Sequence, residues 1–422
     1  MRVAFYTLGC KVNHYETQAM EELFRAAGHT VVPFEDVADA YVVNTCTVTQ
    51  MSDKKSRQIL SQAHRRNPNA PIAAVGCYAE VAKDAVVALP GVSLVLGTEG
   101  RKDIVRLVER AAVGGTVEAD YPAPFERRAF EELSAQSDSR TRATLKVQDG
   151  CVSFCSYCII PYARGALRSR TLASTKQELE ALAGRGYREV VLTGIQLSAY
   201  GADLSDHPEL ADLIALADAI PGLERLRLGS LEPRVITDRF LAVAANSRTL
   251  CRKFHLSLQS GSDTVLARIN RRYTTAEYRD AVARIRACMP DAAITTDIIA
   301  GFVGETEEEH EETLRFVEEI GFARIHVFPY SRRKGTKADA MEGHLPRAKK
   351  EARTRELIAL GERLEAAFID RQIGKTVSVI MEDDGTGYTG NYVRVRCGAA
   401  CGETVNVKIT GRDGTVALGI IE

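Results

Sequence analysis

Residues 143–165, ATLKVQDGCVSFCSYCIIPYARG, decide how the chain is read. A strand-like run, ATLKVQ, breaks at Asp149-Gly150, and the loop that follows sets Cys151, Cys155 and Cys158 in the spacing CxxxCxxC. Three thiolates from one short loop can hold three irons of a cubane cluster and leave the fourth iron without a protein ligand, which is the chemically useful vacancy. A structural zinc site is the alternative, but it normally closes with four ligands, often in paired CxxC knuckles. Here no further cysteine occurs until Cys251 and no histidine until His207. Tyr157, just before the third cysteine, could pack on an adenine held at the open iron or simply against its own loop.

Six strand candidates succeed one another from Ala143, with helical patterns between them: ATLKVQ, EVVLTG, RLRLGS, FHLSLQ, AITTDIIA and ARIHVF. Six βα units predict an open or partial barrel, with its active site at the carboxyl ends of the strands. Arg347 to about Ile373 reads as a charged helix, and the alternating segments TVSVIMED, NYVRVRC, TVNVKIT and VALGII read as a small all-β module. Residues 1–111 alternate β-branched runs with amphipathic stretches such as Tyr15–Ala27 and Asp53–Arg66, the pattern of a parallel α/β sheet. Residues 112–142 lose that periodicity and gather Gly, Pro, Ser and charge, as a linker or irregular crossover does. The expected class is therefore α/β, with an N-terminal domain over 1–111, a linker over 112–142, a (β/α)6 barrel over 143–370 and an all-β domain over 371–422.

Cys10, Cys46 and Cys77 each close an apolar run: FYTLGC, VVNTC and AAVGC. In a parallel sheet all three emerge at one carboxyl edge, where ligand sites of α/β folds gather. A lone buried cysteine is usually a small hydrophobe, but three at equivalent strand ends point to a second three-thiolate cluster, with Gly before Cys10 and Cys77 allowing close backbone approach. A structural role is expected for Cys251, Cys288, Cys397 and Cys401. Disulfides are not expected from the ten cysteines, because reducing compartments favour thiolates as metal ligands. The opening MRVAFYTLGCKVN is too short in its apolar run for a signal peptide, and no stretch approaches the ~20 residues of a membrane span, so a cytoplasmic protein is expected.

The CxxxCxxC loop, with aromatic Tyr157 before its last cysteine, resembles the radical SAM superfamily, whose members carry CxxxCxΦC (Φ aromatic) after the first strand of a partial TIM-like barrel. The resemblance implies that S-adenosylmethionine (SAM) chelates the open iron of a 4Fe-4S cluster and yields a 5'-deoxyadenosyl radical. It also implies a SAM site lined by Tyr157, by Thr193, Gly194 and Gln196 in LTGIQ, by Ser230 and Glu232 in GSLEP, by Gln259 in SLQSG, and by the loop IIAGFVGET; each of these is equally read as an ordinary strand end. With LGCKVNHYET, NTCTVT and GCYAE in the N-terminal domain, almost the whole chain resembles the methylthiotransferases within that superfamily, and the C-terminal module resembles the TRAM RNA-binding domain. In that family a second 4Fe-4S cluster carries sulfur, one SAM methylates it and another activates the substrate C–H bond. GCKVN with NTCTVT resembles the branch acting on N6-threonylcarbamoyladenosine at tRNA position 37; isopentenyladenosine and a ribosomal-protein aspartate are the substrates of the other branches. Val303 stands in GFVGET where the family commonly has Pro.

Lys and Arg total 55 against 56 Asp and Glu, so no global positive field announces RNA and any contact must be local. Strict alternation puts Tyr392, Arg394 and Arg396 on one strand face, with Asn406 and Lys408 on a neighbouring strand, a pattern able to stack a base and meet phosphates, or simply to face solvent. Arg332, Arg333, Lys334 and Lys337 in SRRKGTK follow the last barrel strand, either as phosphate contacts or as a solvated loop. From another functional class, an iron-sulfur electron carrier or redox sensor anchored on RNA is the competing reading. An electron carrier would usually protect its cluster with four thiolates. An enzyme would need an external electron donor.

Overall fold

In the computed structural model, residues 1–115, 121–135, 141–382 and 385–422 are described. The first five strands, β1 (Arg2–Thr7), β2 (Thr30–Val32), β3 (Ala40–Thr45), β4 (Ile72–Gly76) and β5 (Val92–Gly97), form one parallel sheet in the order β2-β1-β3-β4-β5. Alternate residues of β3 serve opposite faces: Tyr41 and Val43 join one apolar layer, Ala40 and Val42 the other. A strand buried on both faces reads as a continuous apolar run, which is why AYVVNT and IAAVG are wholly buried. This order reverses direction between β1 and β3, so the crevice outside their carboxyl ends is the topological switch point where such sheets bind ligands.

The second domain has six strand positions. β6 (Arg142–Lys146), β9 (Glu189–Thr193) and β10 (Arg225–Leu228) form one parallel sheet; β11 (Ser230–Leu231), β12 (Lys253–Leu256), β13 (Ala293–Ala300) and β14 (Arg324–Pro329) form the next. β10 and β11 are one strand interrupted at Gly229, and a Leu226–Leu250 bridge links the two sheets, giving the open barrel expected of six βα units. A short antiparallel pair, β7 (Gln148–Asp149) with β8 (Arg168–Ser169), brackets the three-cysteine loop.

The chain ends in a closed barrel of β15 (Thr376–Met381), β16 (Thr386–Thr389), β17 (Arg394–Arg396), β18 (Thr404–Asp413) and β19 (Val416–Ile421), in the order β15-β16-β17-β19-β18. The sequence reading had four of these strands; β16, TGYT, was missed because its Gly and Thr content reads as turn. The expected charged helix spans Arg347–Asp370, and its Phe368 and Ile369 enter the core of this barrel.

Much of the stretch expected as a linker is built into the fold. Residues 116–120 and 136–140 of it lie outside the described residues. Between them Leu133 and Ala135 are buried in the large core of the open barrel beside Tyr15 and Ala19 of the first domain. The Tyr15 hydroxyl donates to Leu133 O, and Glu131 pairs with buried Arg101 at 2.8 Å. The segment is a strap fastened to both domains. No helix among the described residues is long and apolar enough to cross a membrane.

Candidate active site

The N-terminal thiols meet at the switch point. Cys10 precedes the helix Lys11–Ala26, Cys46 follows β3, and Cys77 opens the helix Cys77–Val81 directly after β4. All three line one cavity of ≈ 700 Å³. Gly9 sits at φ +107°, and a Cβ there would come within 3.0 Å of Cys46 Sγ; at Gly76, φ +90°, a Cβ would stand 2.5 Å from Thr45 O. The glycines before two of the cysteines are thus required by backbone conformation and by room. Asn13 fastens the loops together, its amide donating to Leu8 O at 2.7 Å and Thr45 O at 3.0 Å.

Burial pushes the Cys46 thiol up and the Cys77 thiol up to about 12, and the nearby Cys10 thiol adds to both shifts. Such groups are protonated as free thiols at neutral pH and become thiolates when a metal displaces the proton. Among the described residues no three Cys, His, Asp or Glu side chains close around a single ion. Three thiols spread around an open cavity, one exposed and two buried, suit the broader footprint of an iron-sulfur cubane.

The second trio is held by its backbone. Cys151 N donates to Gly165 O at 3.0 Å, Ser156 N to Ile269 O at 2.8 Å and Cys158 N to Cys155 O at 2.9 Å. Asn270, left-handed at φ +67°, donates its amide to Phe154 O at 3.0 Å. Burial raises the Cys155 thiol, and raises Cys158 to about 12 with Cys155 and Cys151 adding to it. The three sulfurs therefore lie close enough to feel one another.

The two trios are joined by the short helix Ile160–Arg164, which begins two residues after Cys158. Ile160 lines the large cavity. Arg164, fully buried, donates Nε to Cys77 Sγ at 3.2 Å, Nη2 to Asn13 Oδ1 at 2.8 Å and Nη1 to Glu16 Oε1 at 2.5 Å. Glu16 also meets Arg101 at 3.0 Å and Lys146 at 2.7 Å, and Lys146 meets Asp149 at 2.6 Å. Burial works against the Glu16 charge, but Arg101, Arg164 and Lys146 hold its carboxyl well below the usual range.

The cavity continues into the open barrel, whose inward residues at period two are polar: Arg227, Lys253 and His255, Thr295 and Asp297, Arg324 and His326. His255 Nδ1 meets Thr295 Oγ1 at 3.0 Å and its Nε2 meets Asp297 at 3.3 Å. Burial, then Lys11 and Arg227, lower Lys253 to about 7 against the opposing pull of Asp297. None of these lumen residues was singled out from sequence, nor were Asn13 and Arg164. The only available signal was their alternation in KFH, TTD and RIH.

Of the residues expected around SAM, Thr193, Gly194 and Ser230 lie on the cavity wall. Gln196 accepts from Val152 N at 3.1 Å on the cysteine loop, and with Glu232 it lines a separate cavity of ≈ 260 Å³. Glu232 pairs with Arg271 at 3.0 Å, and Arg271 also donates to the Tyr157 hydroxyl at 3.4 Å. Tyr157 is half-buried against Val265, Ile269 and Phe302. Gln259, buried at φ +73°, donates its N–H to Asp297 O at 2.9 Å.

The surface expectations need three corrections. Arg333 is not on the surface: it is 7% exposed and its guanidinium donates to Asp53 and Thr47 of the first domain. Tyr392 is not on β17; at φ +67° it turns off the strand into the cavity wall, stacked on Tyr388 with centroids 4.7 Å apart, with Arg227 4.8 Å from its ring. β18, carrying exposed Asn406 and Lys408, is separated from β17 by β19. Arg332 pairs with Asp339, Lys334 is exposed, Arg394 donates to Thr386 Oγ1 at 3.1 Å, Arg396 pairs with Asp413 at 3.3 Å, and Lys408 with Glu422 at 3.8 Å.

An open parallel barrel with a three-thiol loop after its first strand defines a radical SAM protein. Residues 145–317 match the Radical SAM superfamily and residues 2–97 the Uncharacterized protein family UPF0004. The fold is similar to the radical S-adenosylmethionine methyltransferase TsrM from Kitasatospora setae, with a TM-score of 0.59 and 18% identity over 77% of this chain and 74% of that one. The chain is 41% identical to the threonylcarbamoyladenosine tRNA methylthiotransferase MtaB of Bacillus subtilis, over 93% of this chain and 89% of the relative. It is 36% identical to that of Thermotoga maritima, over 98% and 96%. A tRNA-2-methylthio-N(6)-dimethylallyladenosine synthase of Clostridium novyi is 32% identical over 96% and 93%. The chain belongs to the threonylcarbamoyladenosine tRNA methylthiotransferase family.

Proposed function

We propose that this protein installs a methylthio group at C2 of N6-threonylcarbamoyladenosine 37 in tRNA. The observation that carries the proposal is the shared cavity: Cys10, Cys46 and Cys77 open onto the barrel lumen, and the segment after the cysteine loop reaches the same space through Ile160, with buried Arg164 bonded to Cys77. Cys151, Cys155 and Cys158 would hold the SAM-binding 4Fe-4S cluster, and Cys10, Cys46 and Cys77 the auxiliary one. When bound, the first supplies the electron that cleaves SAM and the second carries the sulfur to be transferred.

The chain's own residues fix and enclose these centres. Arg164 holds Cys77 and Asn13 in place from the barrel side. Thr193, Gly194 and Ser230 offer polar contacts at the carboxyl ends of β9 and β10, where SAM would lie; Gln196, Glu232, Gln259 and Tyr157 brace that edge. The TRAM-like barrel contributes Tyr392 to the cavity wall, while exposed Arg332, Lys334, Arg396 and Lys408, with half-buried Arg394, would meet the anticodon arm. An external electron donor and a cytoplasmic setting complete the reading.

Mass spectrometry of tRNA nucleosides from cells lacking the gene is the test. Loss of 2-methylthio-N6-threonylcarbamoyladenosine with accumulation of its unthiolated precursor is expected. Unchanged methylthiolated nucleosides would sink the assignment.

A further inference from the structure

The two N6 substituents that relatives of this chain act on differ in charge: a threonylcarbamoyl group ends in a carboxylate, a dimethylallyl group is a hydrocarbon. We infer that Lys253, with Lys11 opposite it, is the specificity-determining pair that receives the substrate carboxylate in the barrel lumen. The inference rests on the proposed threonylcarbamoyladenosine reading and deepens it.

Lys253 rises from the floor of the lumen on β12, and Lys11 enters from the first domain beside Cys10; both line the same cavity. Among the described residues neither makes an ion pair or hydrogen bond through its ammonium, and Lys253 has only the face of Tyr392, 5.6 Å away. The other charges of the lumen are spoken for. Arg227 is held by Glu189 at 2.7 Å and by the carbonyl of Thr389 at 2.9 Å. Asp297 meets His255 at 3.3 Å and attracts Lys253 only through space, and Arg324 leans toward Glu365 at 3.8 Å. The surplus inside the cavity is thus cationic. A half-buried ammonium with no ion-pair contact is costly, and the arrangement persists most simply as the receptor of an anion that arrives with substrate. A volume of ≈ 700 Å³ admits a modified nucleoside, within the roughly 300–1,000 Å³ usual for small-molecule sites. A charge-assisted hydrogen bond to such a carboxylate discriminates on the order of ten- to a hundredfold against a neutral isostere.

The experiment uses anticodon stem-loop RNAs carrying N6-threonylcarbamoyladenosine, its carboxamide, or N6-dimethylallyladenosine, with full-length reconstituted protein. Fluorescence anisotropy reads affinity and mass spectrometry reads methylthiolation. The wild type is expected to bind the acid on the order of ten- to a hundredfold more tightly than the amide. Lys253→Met should erase that preference while leaving amide affinity in place, Lys253→Arg should keep it, and Lys11→Met should reduce it. Iron content and the thermal midpoint check that each variant is folded, and Lys11→Met with Lys253→Arg keeps the question answerable if Lys253→Met is not. Equal wild-type affinity for acid and amide overturns the inference, as does equal loss on both RNAs in Lys253→Met. If the wild type methylthiolates the dimethylallyl RNA and not the acid, the proposed function fails with it; threonylcarbamoyl activity without acid-amide discrimination overturns the inference alone.

Discussion

Lys253 is a residue through which pH acts on this fold. Burial first, then Lys11, Arg227 and Arg324, depress its ammonium to about 7 from an ordinary 10.5, opposed by Asp297; His255 and His326 share the lumen with it. The folded-state value lies below the unfolded one. The stabilising contribution is therefore fully present above 10.5 and is lost as pH falls through about 7, where the folded chain must carry the charge. Wild type compared with Lys253→Met should show its largest stability deficit near pH 6 and a shrinking one toward pH 9. Denaturant midpoints of the two proteins across that range check the sign, and a deficit that grows with pH contradicts it. At this scale the sequence is an uneven guide. Cys10, Cys46 and Cys77 are readable because each ends an apolar run. Arg164 is not, since nothing in PYARG says that its guanidinium crosses to another domain and settles on Cys77.

Among the elements, the loop after β14 carries the sharpest contrast. SRRK reads as a run of equal charges, yet Arg332 stays at the surface while Arg333 folds inward onto Asp53 and Thr47. Which arginine turns is decided by tertiary packing, so local pattern cannot separate them. Breaking a buried pair leaves a charge uncompensated, and Arg333→Ala should destabilise the protein by about 3–5 kcal/mol. A double-mutant cycle with Asp53→Ala should return a large coupling energy. If Arg333→Ala instead lowers only the salt dependence of RNA binding and leaves stability alone, the clasp is wrong and the phosphate reading returns. Strand order carries a similar lesson: the alternation of β17 and β18 is visible in sequence, whereas the insertion of β19 between them is a property of barrel closure.

For the molecule as a whole, the near-zero net charge leaves RNA affinity to local patches. Substituting Arg396 and Lys408 by Ser should reduce the slope of log affinity against log salt by roughly 0.7–0.9 for each RNA phosphate that the variant no longer neutralises. Titrations of the anticodon arm at several salt concentrations measure it, and an unchanged slope removes those two residues from the RNA surface. The domain order, the open barrel and the all-β tail are legible because each rests on a repeating hydrophobic period. The strap over residues 121–135 is not, because its anchors are isolated side chains such as Leu133 and Glu131 within a polar stretch.

The pairing of Glu16 with Arg164 spans 148 residues of chain. At about 5–20 residues per second of synthesis, Arg164 follows Glu16 out of the ribosome by roughly 7–30 s. Arg101 and Lys146, the other basic partners of Glu16, are made within that interval, and until Arg164 follows them Cys77 stands without its positive neighbour. A nascent chain stalled before Arg164 lacks the one guanidinium that meets both Cys77 and Glu16, and its N-terminal thiol site is to that extent unfinished.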